Sequence, residues 1–190
     1  VPLITAGQRV TASALALNYS ASDIGAVTVT QATLTDLTGT FTVPANDSAV
    51  GNLYEIECWG NGTWGSTSQN LVFQVVFAGG NMTSVTVDNS FLATSELFRF
   101  RVAIKVVCLT TGVTGTFQSL LTGEMSKSAA NLGGSGGYKS LSFVSCESSG
   151  TSTVDTTLAQ GLKLQCNWGS TTGAPTITKR VAVQRKLGLG

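Results

Sequence analysis

At 190 residues, with 11% charged side chains and a net charge of +1, the chain has the length of a single β-sandwich domain and lacks the basic excess that phosphate binding demands. It contains no histidine, which excludes Ser-His-Asp and Cys-His catalysis and every His-ligated metal site. Ser and Thr together supply about a quarter of the residues, so the surface is expected to be wetted by hydroxyls and amides rather than ions, as suits a protein packed among copies of itself.

Residues 1–25 do not alternate and read as a short N-terminal arm outside the core, with Thr11 or Ser13 placed to cap a helical turn over Ala14 to Leu17. Val1-Pro2-Leu3-Ile4 has neither the charged nor the apolar region of a secretory leader, and no apolar run approaches the roughly 20 residues of a membrane helix. The arm holds one basic residue, Arg9, so genome packaging is not expected. Residues 26–190 form the expected β domain. Val27 to Thr42 alternates and stops before Pro44, predicting one or two edge strands. Leu53 to Trp59 predicts a strand with Tyr54, Ile56 and Cys58 inward and Glu55 and Glu57 outward, closed by an Asn61-Gly62 hairpin turn. Leu71 to Phe77 and Met82 to Val87 flank a turn at Gly79-Gly80-Asn81.

The clearest signal is Phe98 to Cys108, which places Phe98, Phe100, Val102, Ile104, Val106 and Cys108 on one face and Arg99, Arg101 and Lys105 on the other. Thr116 to Met125 and Leu141 to Cys146 continue the pattern on either side of a Gly-rich surface loop at residues 131–137. Leu162, Leu164, Cys166 and Trp168 alternate against Lys163, Gln165 and Asn167, and a last strand runs to Leu187. About nine strands and no long helix predict an all-β fold, a two-sheet antiparallel jelly-roll sandwich. Cys58, Cys108 and Cys166 continue apolar faces and are expected as buried thiols rather than a disulfide framework.

No catalytic constellation, cofactor motif or metal-ligand spacing stands out. Glu55 and Glu57 would project from one face roughly 6–7 Å apart, between the retaining and inverting separations of glycosidases. The simpler reading makes them solvated residues opposite Arg99 and Arg101, across a strand pair or a subunit boundary. Trp59 and Trp64 flank the expected turn, where an exposed indole could stack on a sugar or on a second subunit.

Three phrases carry a family resemblance. Ile4-Thr5-Ala6-Gly7-Gln8-Arg9-Val10-Thr11-Ala12, with Leu17-Asn18 after it, resembles the N-terminal signature of small structural proteins encoded by phages of actinobacteria. Tyr54-Glu55-Ile56-Glu57-Cys58 is similar to that family's middle strand. Gly161-Leu162-Lys163-Leu164-Gln165-Cys166-Asn167-Trp168 and the basic strand Val181 to Leu187 are similar to its final phrases, with Trp168 displaced by two positions. The family's usual Arg-x-Ala-Arg-Pro-like stretch is absent.

The resemblance implies a trimeric jelly roll, related in shape to tumour-necrosis-factor-like heads, serving as a decoration, head-fibre or minor tail protein. The expected partners are further copies of itself, a major capsid or other virion protein and, in a tail-tip alternative, a host surface glycan. No nucleic acid, membrane, metal or cofactor is expected, and assembly onto the virion surface would take place in the host bacterial cytoplasm. Ile4, Gln8, Arg9, Val10, Leu15 and Leu17 are the expected docking residues. Trp59, Trp64, Glu55, Glu57, Arg99 and Arg101 are the expected ligand or subunit-interface residues.

Overall fold

The computed structural model describes residues 17–23, 25–65, 69–88, 92–93, 95–127, 140–146 and 152–188. The described residues form thirteen strands and no helix: β1 (Leu17–Asp23), β2 (Val27–Val29), β3 (Thr35–Asp36), β4 (Phe41–Val43), β5 (Leu53–Thr63), β6 (Leu71–Phe77), β7 (Gly80–Val87), β8 (Leu97–Cys108), β9 (Gly115–Lys127), β10 (Ser140–Cys146), β11 (Ser152–Val154), β12 (Gln160–Trp168) and β13 (Thr176–Leu187). The larger sheet has the order β1-β13-β5-β8-β9-β10, with β2 also on β13 and β11 also on β9. The smaller has the order β3-β12-β6-β7, with β4 also on β12. Both are antiparallel and stack as a jelly-roll-like sandwich, as the alternation predicts.

Alternation decides what is inside. Tyr54, Ile56 and Cys58 of β5 and the six apolar residues of β8 from Phe98 to Cys108 are buried against Leu71, Phe73, Val75 and Phe77 of β6 and Leu162, Leu164, Cys166 and Trp168 of β12. Phe77 meets Phe117 edge to face across the sandwich, with centroids 5.0 Å apart. Pairs of this kind add about 0.5–1.5 kcal/mol beyond the area they bury. None of Cys58, Cys108, Cys146 and Cys166 is in a disulfide, and all but Cys146 are buried. Burial pushes the Cys108 and Cys166 thiols up, most strongly at Cys166, which leaves them protonated and inert. Along one side of the sandwich the Ser145 hydroxyl of β10 donates to the Ser84 carbonyl of β7 at 2.9 Å and shares a hydrogen bond with Thr83 at 3.1 Å, tying the two sheets together.

Three expectations are corrected. Asn61-Gly62 is no turn: β5 runs through it to Thr63, paired with Leu97 on one side and Thr176 on the other. The glycines are there because Phe98 and Phe100 lie against the strand. A Cβ on Gly62 would come within 2.4 Å of the Phe98 ring, and one on Gly60 within 2.5 Å of the Phe100 ring. The Asn-Gly turn preference yields to this cross-strand packing. By contrast, the turn near Gly79-Gly80 is a true hairpin, with Ala78 at φ 52° and Gly79 at φ 77°. Second, the Val27 to Thr42 region gives three short strands, not one or two. Third, Leu17–Asp23, assigned to the arm by sequence, pairs with β13 from Leu187 to Ala182 as an edge strand. The arm's residues 1–16, the expected helical turn within it and the 131–137 loop lie outside the described residues.

The β4–β5 connection is held by a buried cation. Lys186 Nζ sits 2.7 Å from Asp47 Oδ1 and donates to the Asp47 carbonyl at 3.0 Å. The Tyr54 hydroxyl shares a 3.0 Å hydrogen bond with Ser48 beside the same aspartate. Burial above all pushes the Tyr54 phenol up to about 12, and the nearby Asp47 charge adds to the effect.

Candidate functional site

The outer face of the larger sheet collects the chain's charged chemistry. Glu55 and Glu57 of β5 point outward between β8 and β13, where the register sets Glu55 between Lys105 and Arg185 and Glu57 between Ala103 and Val183. Arg101 binds Glu57, Lys105 lies 3.5 Å from Glu55, and Arg185 reaches both carboxylates, at 3.7 Å to Glu55 and 3.2 Å to Glu57. Both glutamates are largely covered by these cations, with side chains 15% and 14% exposed. A depression of about 460 Å³ lies over the small residues Ala103 and Gly123 beside them. Because the carboxylate oxygens are taken up by three cations, the pair braces β5, β8 and β13.

The other end of the face has a different character. Where β8 begins, Trp59 and Asn61 of β5, Leu97 and Arg99 of β8 and Arg180 of β13 line an open trough of about 440 Å³. Asn61 stands opposite Arg99 in the register, with Trp59 one outward position along β5 and Leu97 one outward position along β8 in the opposite direction. Arg180 is turned outward by a β-bulge between Lys179 and Val181, which buries Lys179 and leaves Arg180 exposed. Its Nε donates to Asn61 Oδ1 at 2.8 Å. Among the described residues neither Arg99 nor Arg180 forms an ion pair with a carboxylate. Glu96, next to Leu97 in the chain, is paired with Lys127, and Glu124 stands opposite Arg101.

The sequence-derived site residues therefore divide. Glu55, Glu57 and Arg101 come together as expected. Arg99 does not join them; it stands two residues away along β8, beside Asn61. Trp59 is on the outer face. Trp64 is fully buried, edge to face with Trp168 at 5.2 Å and with Phe98 at 6.0 Å, so it offers no sugar platform. The docking residues Ile4, Gln8, Arg9, Val10 and Leu15 lie outside the described residues, and of Leu17 only the backbone pairing with Leu187 is described.

Lys105, Arg180 and Arg185 join the site only in the folded chain. Lys105 had a signal, since it shares the outward face of the strand with Arg99 and Arg101. Arg180 and Arg185 had none, because their neighbours on β5 are more than a hundred residues away in the chain. On the smaller sheet Asp36 accepts from Lys163 at 2.9 Å and from Gln165 at 2.7 Å. Burial alone would raise its pKa, but these two bonds and the Lys163 charge outweigh it and hold the carboxyl below its ordinary value.

No family model and no curated protein sequence matches the chain. Among solved structures it is similar to the CBM2 module of Lactobacillus casei BL23 phage J-1 evolved Dit, at 10% identity and a TM-score of 0.33, over 80% of this chain and 69% of the other. A similarity that shallow transfers neither a ligand nor a role.

Proposed function

We propose that the chain is a non-enzymatic surface protein of a phage virion, a homotrimeric capsid-decoration or head-fibre subunit that docks to the major capsid protein through its N-terminal segment. The observation that carries this reading is the use of Glu55 and Glu57. The two groups best spaced for acid–base work are bound by Arg101, Lys105 and Arg185 and cross-brace three strands. A braced sheet under a hydroxyl-rich surface suits reinforcement of a particle, where buried area rather than turnover is required. The phrases at residues 4–12, 54–58 and 161–168 support the same assignment through the family they resemble.

Copy number per purified virion, measured against the major capsid protein, tests this. Hundreds of copies fit decoration, whereas a handful moves the protein to the tail or a unique vertex. Removing residues 1–16 should leave a folded trimer that no longer attaches. Attachment that survives the deletion assigns docking to another surface.

One observation favours a second reading, a glycan-binding module at the tail tip: Trp59 stands on the outer face beside Arg99 and Arg180. Saturable binding of host cell-wall glycan, lost in Trp59→Ala, is the outcome that reading requires.

A further inference from the structure

We infer that the trough between Trp59 and Leu97 is a binding site for an acidic saccharide, a glycan carrying hexuronate units, whose carboxylate is held by Arg99 and Arg180. This assignment rests on the glycan-binding reading and names the ligand class. Its basis is the contrast within one sheet face. Of the four described arginines, Arg101 and Arg185 are ion-paired to glutamate, while Arg99 and Arg180 are exposed and bound to no described carboxylate. They stand on either side of Asn61, one on each neighbouring strand. Two guanidinium groups facing a shared gap present paired N–H donors, a geometry matched to a carboxylate.

The walls supply the rest of a sugar's needs. Trp59 and exposed Leu97 offer apolar surface to the C–H face of a pyranose, and the Asn61 amide lies beside it for ring hydroxyls. The volume of about 440 Å³ falls in the range of small-ligand sites. A bare anion would not use the indole, and a neutral sugar would leave both arginines unanswered. Acidic saccharide is the chemistry that uses both.

Calorimetric titration of the purified full chain with trigalacturonate, and with galactotriose as the neutral counterpart, tests this. Saturable binding of trigalacturonate is expected, with galactotriose at least about tenfold weaker. Arg99→Gln and Arg180→Gln should each weaken trigalacturonate binding by about tenfold, and Trp59→Ala by at least as much. Binding should weaken as salt rises from about 0.05 to 0.3 M. Arg99→Lys keeps the charge without the fork and should fall between parent and Arg99→Gln.

Equal binding of the two trisaccharides overturns the acidic assignment while leaving a glycan site in place. Failure of both to bind overturns the glycan reading as well. Poly(glycerol phosphate) bound without dependence on Trp59, in the absence of trigalacturonate binding, makes the trough a plain anion site and overturns the saccharide. A loss of oligomeric mass in Arg99→Gln, seen by light scattering, assigns the trough to a subunit contact and overturns the inference in the same way.

Discussion

The two ends of the large sheet's outer face both carry a pair of arginines and do opposite things with them. At the Glu55–Glu57 end, two carboxylates sit among three cations, and each charge has a counter-charge within 4 Å. At the Arg99–Arg180 end two cations flank an amide and an indole, with no described carboxylate bound to either. The first arrangement answers its own electrostatics and stiffens the sheet. The second leaves its electrostatics to be answered from outside. Charge content alone does not mark a binding surface; the mark is charge left uncompensated by the fold.

Four substitutions break or sharpen that contrast. The largest effect is expected from Gly62→Val, which forces a side chain into the Phe98 ring and the Thr176 carbonyl beneath the trough, each within 2.4 Å of the new Cβ. A loss of about 3 kcal/mol or failure to fold is expected in denaturant titration. Glu57→Ala should cost about 1 kcal/mol, because Arg101 and Arg185 lose a shared partner, and the loss should shrink in high salt.

Tyr54→Phe tests the buried side of the braced end through pH. The folded state holds the phenol's proton up to about 12, above the ordinary value of about 10. The contribution is therefore complete below about pH 10 and is lost as pH rises toward 12. Thermal melts across that window should show the parent losing this increment and Tyr54→Phe lacking it. The smallest effect is expected from Arg99→Gln, whose melting stability should stay within about 0.5 kcal/mol of the parent. A loss comparable to that of Glu57→Ala would show that Arg99 is structural and erase the difference between the two ends.

The sequence discloses much of this where period 2 is unbroken. Strands β8 and β12 alternate without interruption, so their buried and exposed faces follow from residue order alone. The outward pair Glu55 and Glu57 is legible for the same reason. Two departures from simple alternation bear on the trough. In β5 the local Asn61-Gly62 signal predicts a turn, and only the rings of Phe98 and Phe100 on the neighbouring strand explain the glycines. In β13 the buried positions are Ile177 and Lys179 before the bulge and Ala182, Gln184 and Lys186 after it. That change of phase carries Arg180 outward, and no single-strand pattern reports it. Trp59 and Trp64 look equivalent in sequence, but Trp59 faces outward from β5 whereas Trp64, one residue past the end of that strand, turns into the core.

Strand β13 also has a consequence for how the chain is made. It is bonded along one edge to β5 and along the other to β1 and β2, so it completes the middle of the larger sheet. Thr63 of β5 and its partner Thr176 are 113 residues apart. At translation rates of about 5–20 residues per second, Thr63 leaves the ribosome roughly 6–23 s before its partner on β13. Through that interval β5 presents one unsatisfied edge, and the sheet closes only when β13 arrives to fill the gap. Neighbouring nascent chains on one message would carry the same open edge. A synthesis stalled anywhere before Thr176 would therefore yield a sticky product, because the larger sheet must wait for a strand translated more than a hundred residues after its partner.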